Sequence, residues 1–180
     1  SMGSFNQAMM FLVETVLQIY LVAMLIRLLL EMSRADFYNP AVQFLVQITN
    51  PVIAPLAKIL PRSSKFNIAG FVALYLIQLL SLFALVALSG QSVDVGMLML
   101  LSVMRLLRLL LTTYFMLIII SVILSWVGQG FRHPIIPLIY QLVDPVLMPI
   151  RRVLPNMGGL DLSPLVAIIG IQFLMIWLGL

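Results

Sequence analysis

The chain has 180 residues, of which 63% are hydrophobic and only 9% charged, with mean hydropathy +1.17, a formal net charge of +4 and no cysteine. So little polar surface could not cover the core of a soluble domain of this length, so the chain is expected in a lipid bilayer. Lack of cysteine removes disulfides, thiolate metal sites and cysteine nucleophiles, and membrane topology accounts for the positive charge without nucleic acid.

A transmembrane helix needs about 20 mainly apolar residues, and four segments qualify. The first, residues 8–30, carries Glu14 inside it and Arg27 near its end; with no basic leader and no small-residue cleavage site, it is retained rather than cleaved. The cluster Arg27, Glu31 and Arg34 then reads as an exposed helix end. A proline-studded interfacial segment follows over 40–61. Asn39 caps a short helix with Pro40 at its first position, Asn50-Pro51 opens a second piece, Pro55 removes a backbone donor and Pro61 ends it. A helix of about ten residues would reach only about 15 Å, too little to cross. The second span is 68–88. After a linker whose only charge is Asp94, the third span covers 104–127. A second proline segment follows over 134–155, with His133, Pro134, Asp144, Pro145, Pro149, Arg151, Arg152 and Pro155, and a fourth span covers 164–180.

The two proline segments align without a gap. Pro40, Pro51, Pro55 and Pro61 recur 94 positions later (134 minus 40) as Pro134, Pro145, Pro149 and Pro155, and the match extends to Tyr20/Tyr114, Gln47/Gln141, Ala73/Ala167 and Gln78/Gln172. The expected fold is therefore an all-α membrane protein of four transmembrane helices, built as two parallel helical hairpins over residues 1–89 and 95–180, each with an amphipathic or re-entrant proline-rich segment. The basic residues of the short loops, among them Lys58, Arg62, Arg151 and Arg152, place both loops on the cytoplasmic side, where they would reach anionic headgroups.

The motif that closes the second segment has its own logic. Gly158-Gly159 supplies a bend, Ser163-Pro164 is a strong helix start, and Asp161 and Asp144 lie within chain reach of Arg151 and Arg152. Glu14 and Arg108 are also 94 apart, so at similar depth in two parallel helices they are expected to form an intramembrane ion pair. Gln78 and Gln172 are candidates for a polar path near mid-membrane, with Gln18, Ser81, Thr112, Thr113 and Ser121 as further polar groups. Small residues at Gly70, Ala167 and Gly170 suit close packing or self-association, with lipid and a homo-oligomer or membrane protein as the expected partners. One histidine, no phosphate-binding glycine loop and no nucleophile elbow leave no basis for catalysis, a metal or another cofactor.

The order of apolar helix, Asp144-Pro145, Pro149, Arg151-Arg152, Pro155, Gly158-Gly159, Asp161-Leu162-Ser163-Pro164 and a further apolar helix resembles the YggT family of bacterial membrane proteins, in the doubled form found in proteobacteria. The first segment departs from the motif: Asn50 replaces the acid and Ala57-Lys58 replaces the arginine pair. The resemblance implies a multi-pass protein of the bacterial inner membrane, without enzymatic activity, contributing to osmotic-stress tolerance or ion homeostasis. It also admits a scaffold role in cell division or cytochrome maturation.

Overall fold

The computed structural model describes residues 2–180, and among these all regular structure is helical. The helices are α1 (Met2–Met32), α2 (Pro40–Ala57), α3 (Ile68–Ser89), α4 (Val95–Val127), α5 (Ile135–Val153) and α6 (Ser163–Leu178), with a single 3-10 turn at Gly128–Gly130. Helices α1, α3 and α4 are long and apolar enough to cross a membrane. At 1.5 Å per residue, the 31 residues of α1 and 33 of α4 run about 46 and 50 Å, well beyond a hydrocarbon layer of about 30 Å. Both begin earlier than expected, at residues 2 and 95 rather than 8 and 104. The 16 residues of α6 reach about 24 Å, so this apolar helix is short of a full span by length alone.

The proline segments differ from expectation in a second way. Each is one helix, not two pieces: α2 carries Pro51 and Pro55 inside its 18 residues, and α5 carries Pro145 and Pro149 inside its 19. Proline removes one donor and crowds the preceding turn, but two prolines four apart sit on the same side of the helix. Side-chain bonds and packing on neighbouring helices then hold the chain helical through the weakened turns. In α5 the packing face is plain: Leu138, Ile139, Leu142, Val143 and Leu147 are buried while Met148 and Val153 are exposed, an apolar stripe at helical spacing.

The chain divides into two compact units. One comprises the residues up to Leu28 together with Phe44–Leu107, and its core includes Leu21, Met24, Leu28, Ile53, Ala73 and Leu74. Gly70 permits a close approach of α3 to α1, since a Cβ there would overlap Leu28 Cδ2. The other comprises Leu29–Gln43 and Arg108–Leu180, where α5 packs on α6 and the core includes Val42, Ile118, Leu142, Val143, Leu147, Ala167 and Ile171. Gly170, expected to serve close packing, has nothing within 4 Å of where its Cβ would stand. Apolar residues left exposed, such as Phe11, Val16 and Ile19 on α1 and Phe173, Ile176 and Trp177 on α6, are what lipid-facing surfaces require.

Candidate functional site

In the first unit, Arg27 is the organising side chain. It is 8% exposed, and its Nη1 donates to Thr49 Oγ1 and Asn50 Oδ1, each at 2.7 Å. Thr49 Oγ1 in turn donates to the Leu45 carbonyl at 2.6 Å, and Tyr20 donates its hydroxyl to the Ile48 carbonyl at 2.8 Å. A buried guanidinium therefore clamps α2 immediately before Pro51, where the ladder loses a donor. Arg27 was expected at an exposed helix end. It turns inward because bilayer and core both penalise an unsolvated charge, and Thr49 and Asn50 supply acceptors for its Nη1.

Glu14 is paired with Arg105, Nη2 to Oε1 at 2.5 Å, rather than with Arg108. Equal spacing of the two segments pointed to Arg108, but the long arginine side chain lets a residue one turn earlier reach the acid. The pair is partly exposed, 28% for the Arg105 side chain and 39% for Glu14.

The same unit buries polar groups that find no partner among the described residues: Gln18 Oε1, both terminal atoms of Gln78, Ser81 Oγ and Ser102 Oγ. Gln78, Ser81 and Ser102 are at most 1% exposed. Gln18 lies on α1, and Gln78 and Ser81 lie within one turn of each other on α3. Ser102 lies one turn from Arg105 and one turn from Met99, whose carbonyl accepts from the Tyr75 hydroxyl at 3.0 Å. Gln172, the other candidate for a polar path, is exposed on α6, whereas Gln78 is buried. Ser102 was not among the expected polar groups; a lone serine in an apolar run carries no distinguishing pattern.

In the second unit the Asp144-to-Pro164 motif closes on itself. Arg151 Nε donates to Asp161 Oδ2 at 3.0 Å, and Arg151 Nη1 lies 3.8 Å from Asp144 Oδ1. Asp161 Oδ1 accepts from Ser163 Oγ at 2.6 Å and from the Ser163 amide at 3.0 Å. The helix start is thus held by Asp161, and Ser163, expected to be the capping acceptor, is instead a donor to that carboxylate. Gly158 and Gly159 take positive φ of 65° and 92° and make the expected bend. Partial burial works to raise the Asp161 pKa, but the hydrogen bonds from Ser163 and the Arg151 guanidinium outweigh it and hold the group below its ordinary 3.8. Arg152 joins no hydrogen bond or ion pair among the described residues, so of the expected arginine pair only Arg151 engages the acids.

The starts of the two proline segments are alike. Asn39 Oδ1 accepts from the Ala41 amide at 2.9 Å, and His133 Nδ1 accepts from the Ile135 amide at 3.2 Å. Asn39 also donates to the Pro134 carbonyl at 2.9 Å, and Gln141 donates to the Ser33 carbonyl at 3.0 Å. His133 is therefore a turn residue. Among the described residues no group of three or more His, Cys, Asp or Glu side chains could hold a metal.

Among the described residues these features define an all-helical protein with three helices of membrane-crossing length and character, two helices with internal prolines and charged networks beside them. The chain belongs to the CCB3/YggT family, whose model matches residues 6–88 and again 100–180. It is 39% identical over 171 residues to uncharacterized protein PA0392 of Pseudomonas aeruginosa, covering 94% of this chain and 87% of that one. A protein of Vibrio alginolyticus, described as an uncharacterized protein in the proC 3' region, is 40% identical over 171 residues, covering 92% and 90%. Uncharacterized protein YggT of Escherichia coli K12 is 36% identical over 162 residues, covering 88% and 82%. No solved structure gives a significant match.

Proposed function

We propose that this protein is a non-enzymatic, multi-pass protein of the bacterial inner membrane that contributes to ion homeostasis under osmotic stress by admitting water or small ions along a polar seam in its first unit. The observation that carries this reading is the set of orphaned buried groups on Gln18, Gln78, Ser81 and Ser102. Each unpaired buried polar group costs about 1–3 kcal/mol, a cost offset when water or a desolvated ion passes beside it. The Glu14–Arg105 pair lies along the same helices and adds a charged station. The osmotic role itself comes from the family resemblance.

The test is flux into proteoliposomes of the purified chain, read by light scattering for water and by ion-selective dyes for K+ and Na+. Flux above protein-free vesicles, reduced several-fold in Q78L and S81A variants of unchanged helicity, is the expected result; flux equal to empty vesicles sinks the reading.

The topology belongs to the same proposal: two like-facing hairpins, with α6 as a short fourth crossing and both proline helices on the cytoplasmic face. The two family matches, beginning 94 residues apart (100 minus 6), support a duplicated unit. Because the chain lacks cysteine, single-cysteine variants K58C and R152C give clean labelling; reaction from opposite faces of the bilayer would exclude like-facing hairpins.

A scaffold role is the second reading. It is favoured by exposed apolar side chains in and beside the proline helices, Phe44 and Ile59 in the first and Met148 and Val153 in the second. A crosslinking pull-down from membranes, run beside the flux assay, separates the two: a specific partner without flux favours the scaffold.

A further inference from the structure

The second unit contains a cavity of about 520 Å³ between the C-terminal end of α4, the face of α5 and the start of α6. Its polar lining is Ser121, Ser125, Tyr140, Asp144, Arg151 and Asp161, and its apolar wall includes Trp126, Leu165 and Ile168. The charges in this lining sum to one excess negative charge, two carboxylates against one guanidinium.

The carboxylates are not equivalent. Asp161 is occupied on both oxygens, by Arg151 and by Ser163. Asp144 makes only the loose 3.8 Å contact with Arg151 and no hydrogen bond among the described residues, so its acceptor positions are open. The residues 94 positions earlier show what this place holds in the first unit. Asn50 corresponds to Asp144 and Arg27 to Ser121, and in the first unit the Arg27 guanidinium fills the space and donates to Asn50. In the second unit the long cation has become serine, the amide has become a carboxylate, and a cavity stands beside Ser121. The demand for a cationic hydrogen-bond donor has grown while the chain's own donor from the spanning helix is gone.

We infer that the cavity binds the primary ammonium headgroup of a zwitterionic phospholipid, of the phosphatidylethanolamine type, with the ammonium donating to Asp144. The excess negative charge attracts an ammonium and repels an anionic headgroup. Trp126, which is 79% exposed, and Leu165, 54% exposed, offer an apolar wall for an acyl chain, which a free amine would leave uncovered. Tyr140, also in the lining, donates its hydroxyl to the Ser121 carbonyl in a long bond at 3.4 Å.

The full chain in detergent, mixed with equimolar phosphatidylethanolamine, phosphatidylglycerol and phosphatidylcholine, can be read by native mass spectrometry. The ethanolamine lipid should be retained over the other two by about tenfold, as expected for one charge-assisted hydrogen bond that a quaternary ammonium cannot donate. Two variants should erase the preference: D144N, which installs the amide that position 50 carries, and S121R, which supplies an internal guanidinium. Helicity by circular dichroism checks that each folds, and D144N, being nearly isosteric, keeps the test usable if S121R does not. Equal retention of the three lipids, or an undiminished preference in folded D144N, overturns the inference. So does displacement of the bound lipid by millimolar free ethanolamine, which would make the ligand a soluble amine, or seating of a lysine-bearing peptide in preference to lipid.

Discussion

The two proline helices share a backbone plan and reach opposite electrostatic solutions. Around α2 the acceptors are neutral, Thr49 and Asn50, and the cation arrives from a spanning helix as Arg27. Around α5 the acceptors are acidic, Asp144 and Asp161, and the cation is Arg151 of the same helix, where α2 has Ala57. The first arrangement is buried and filled; the second is half-exposed and borders a cavity. In the first unit the cation from a neighbouring helix reaches Asn50, whereas in the second the cation comes from the helix's own last turn and a cavity stands beside Asp144.

The largest effect should come from removing the buried clamp. Arg27→Ala leaves acceptors on Thr49 and Asn50 without their donor and opens a void, and is expected to cost about 2–3 kcal/mol in a detergent melt. A loss no larger than that from Arg151→Ala, whose side chain is 42% exposed, would show that the buried and the half-exposed cation hold their helices equally. Next is Gly70→Ala, where the added methyl meets Leu28 and Asn67; about 1–3 kcal/mol of overpacking is expected, against a neutral or slightly stabilising Gly170→Ala in α6. Equal melting shifts at the two glycines would show that α1 and α3 do not approach closely at Gly70.

A double-mutant cycle on Glu14 and Arg105 should give a coupling of about 1 kcal/mol, with none between Glu14 and Arg108. The reverse ranking would restore the pairing expected from the 94-residue offset. The smallest effect concerns acid. Because the folded-state pKa of Asp161 is depressed, its stabilisation is present above 3.8 and is lost as pH falls through the lower folded value. The melting difference between wild type and Asp161→Ala should therefore be full at neutral pH and shrink only below about pH 4; a difference that disappears near pH 6 would mean that the Ser163 and Arg151 bonds do not hold the ionised form.

Much of the architecture was legible before any coordinates. Long, mainly apolar runs set α1, α3 and α4, because in lipid only a helix satisfies every backbone group within one segment. The turn at Gly158-Gly159 and the link between Arg151 and Asp161 were legible too, since neighbours in the chain are neighbours in space. Local signals failed at the prolines, where pattern reading divides α2 and α5 into pieces. They failed again at Arg27, whose spacing from Glu31 and Arg34 resembles a solvated helix end. At α2 and Arg27 the failures share a cause: Thr49 and Asn50 meet Arg27 across 22 and 23 residues, and nothing within a local window reports that contact.

By itself the amino-acid sequence determined the membrane-compatible helical class, the family, and the 94-residue correspondence between the two proline segments, because these follow from hydropathy and residue identity alone. Only the tertiary structure decided that Glu14 meets Arg105, that Arg27 is buried against Thr49 and Asn50, that Gln78 is enclosed while Gln172 is exposed, and that Asp144 faces a cavity. Each of these depends on helix rotation and register, which long side chains and close glycine contacts set in three dimensions.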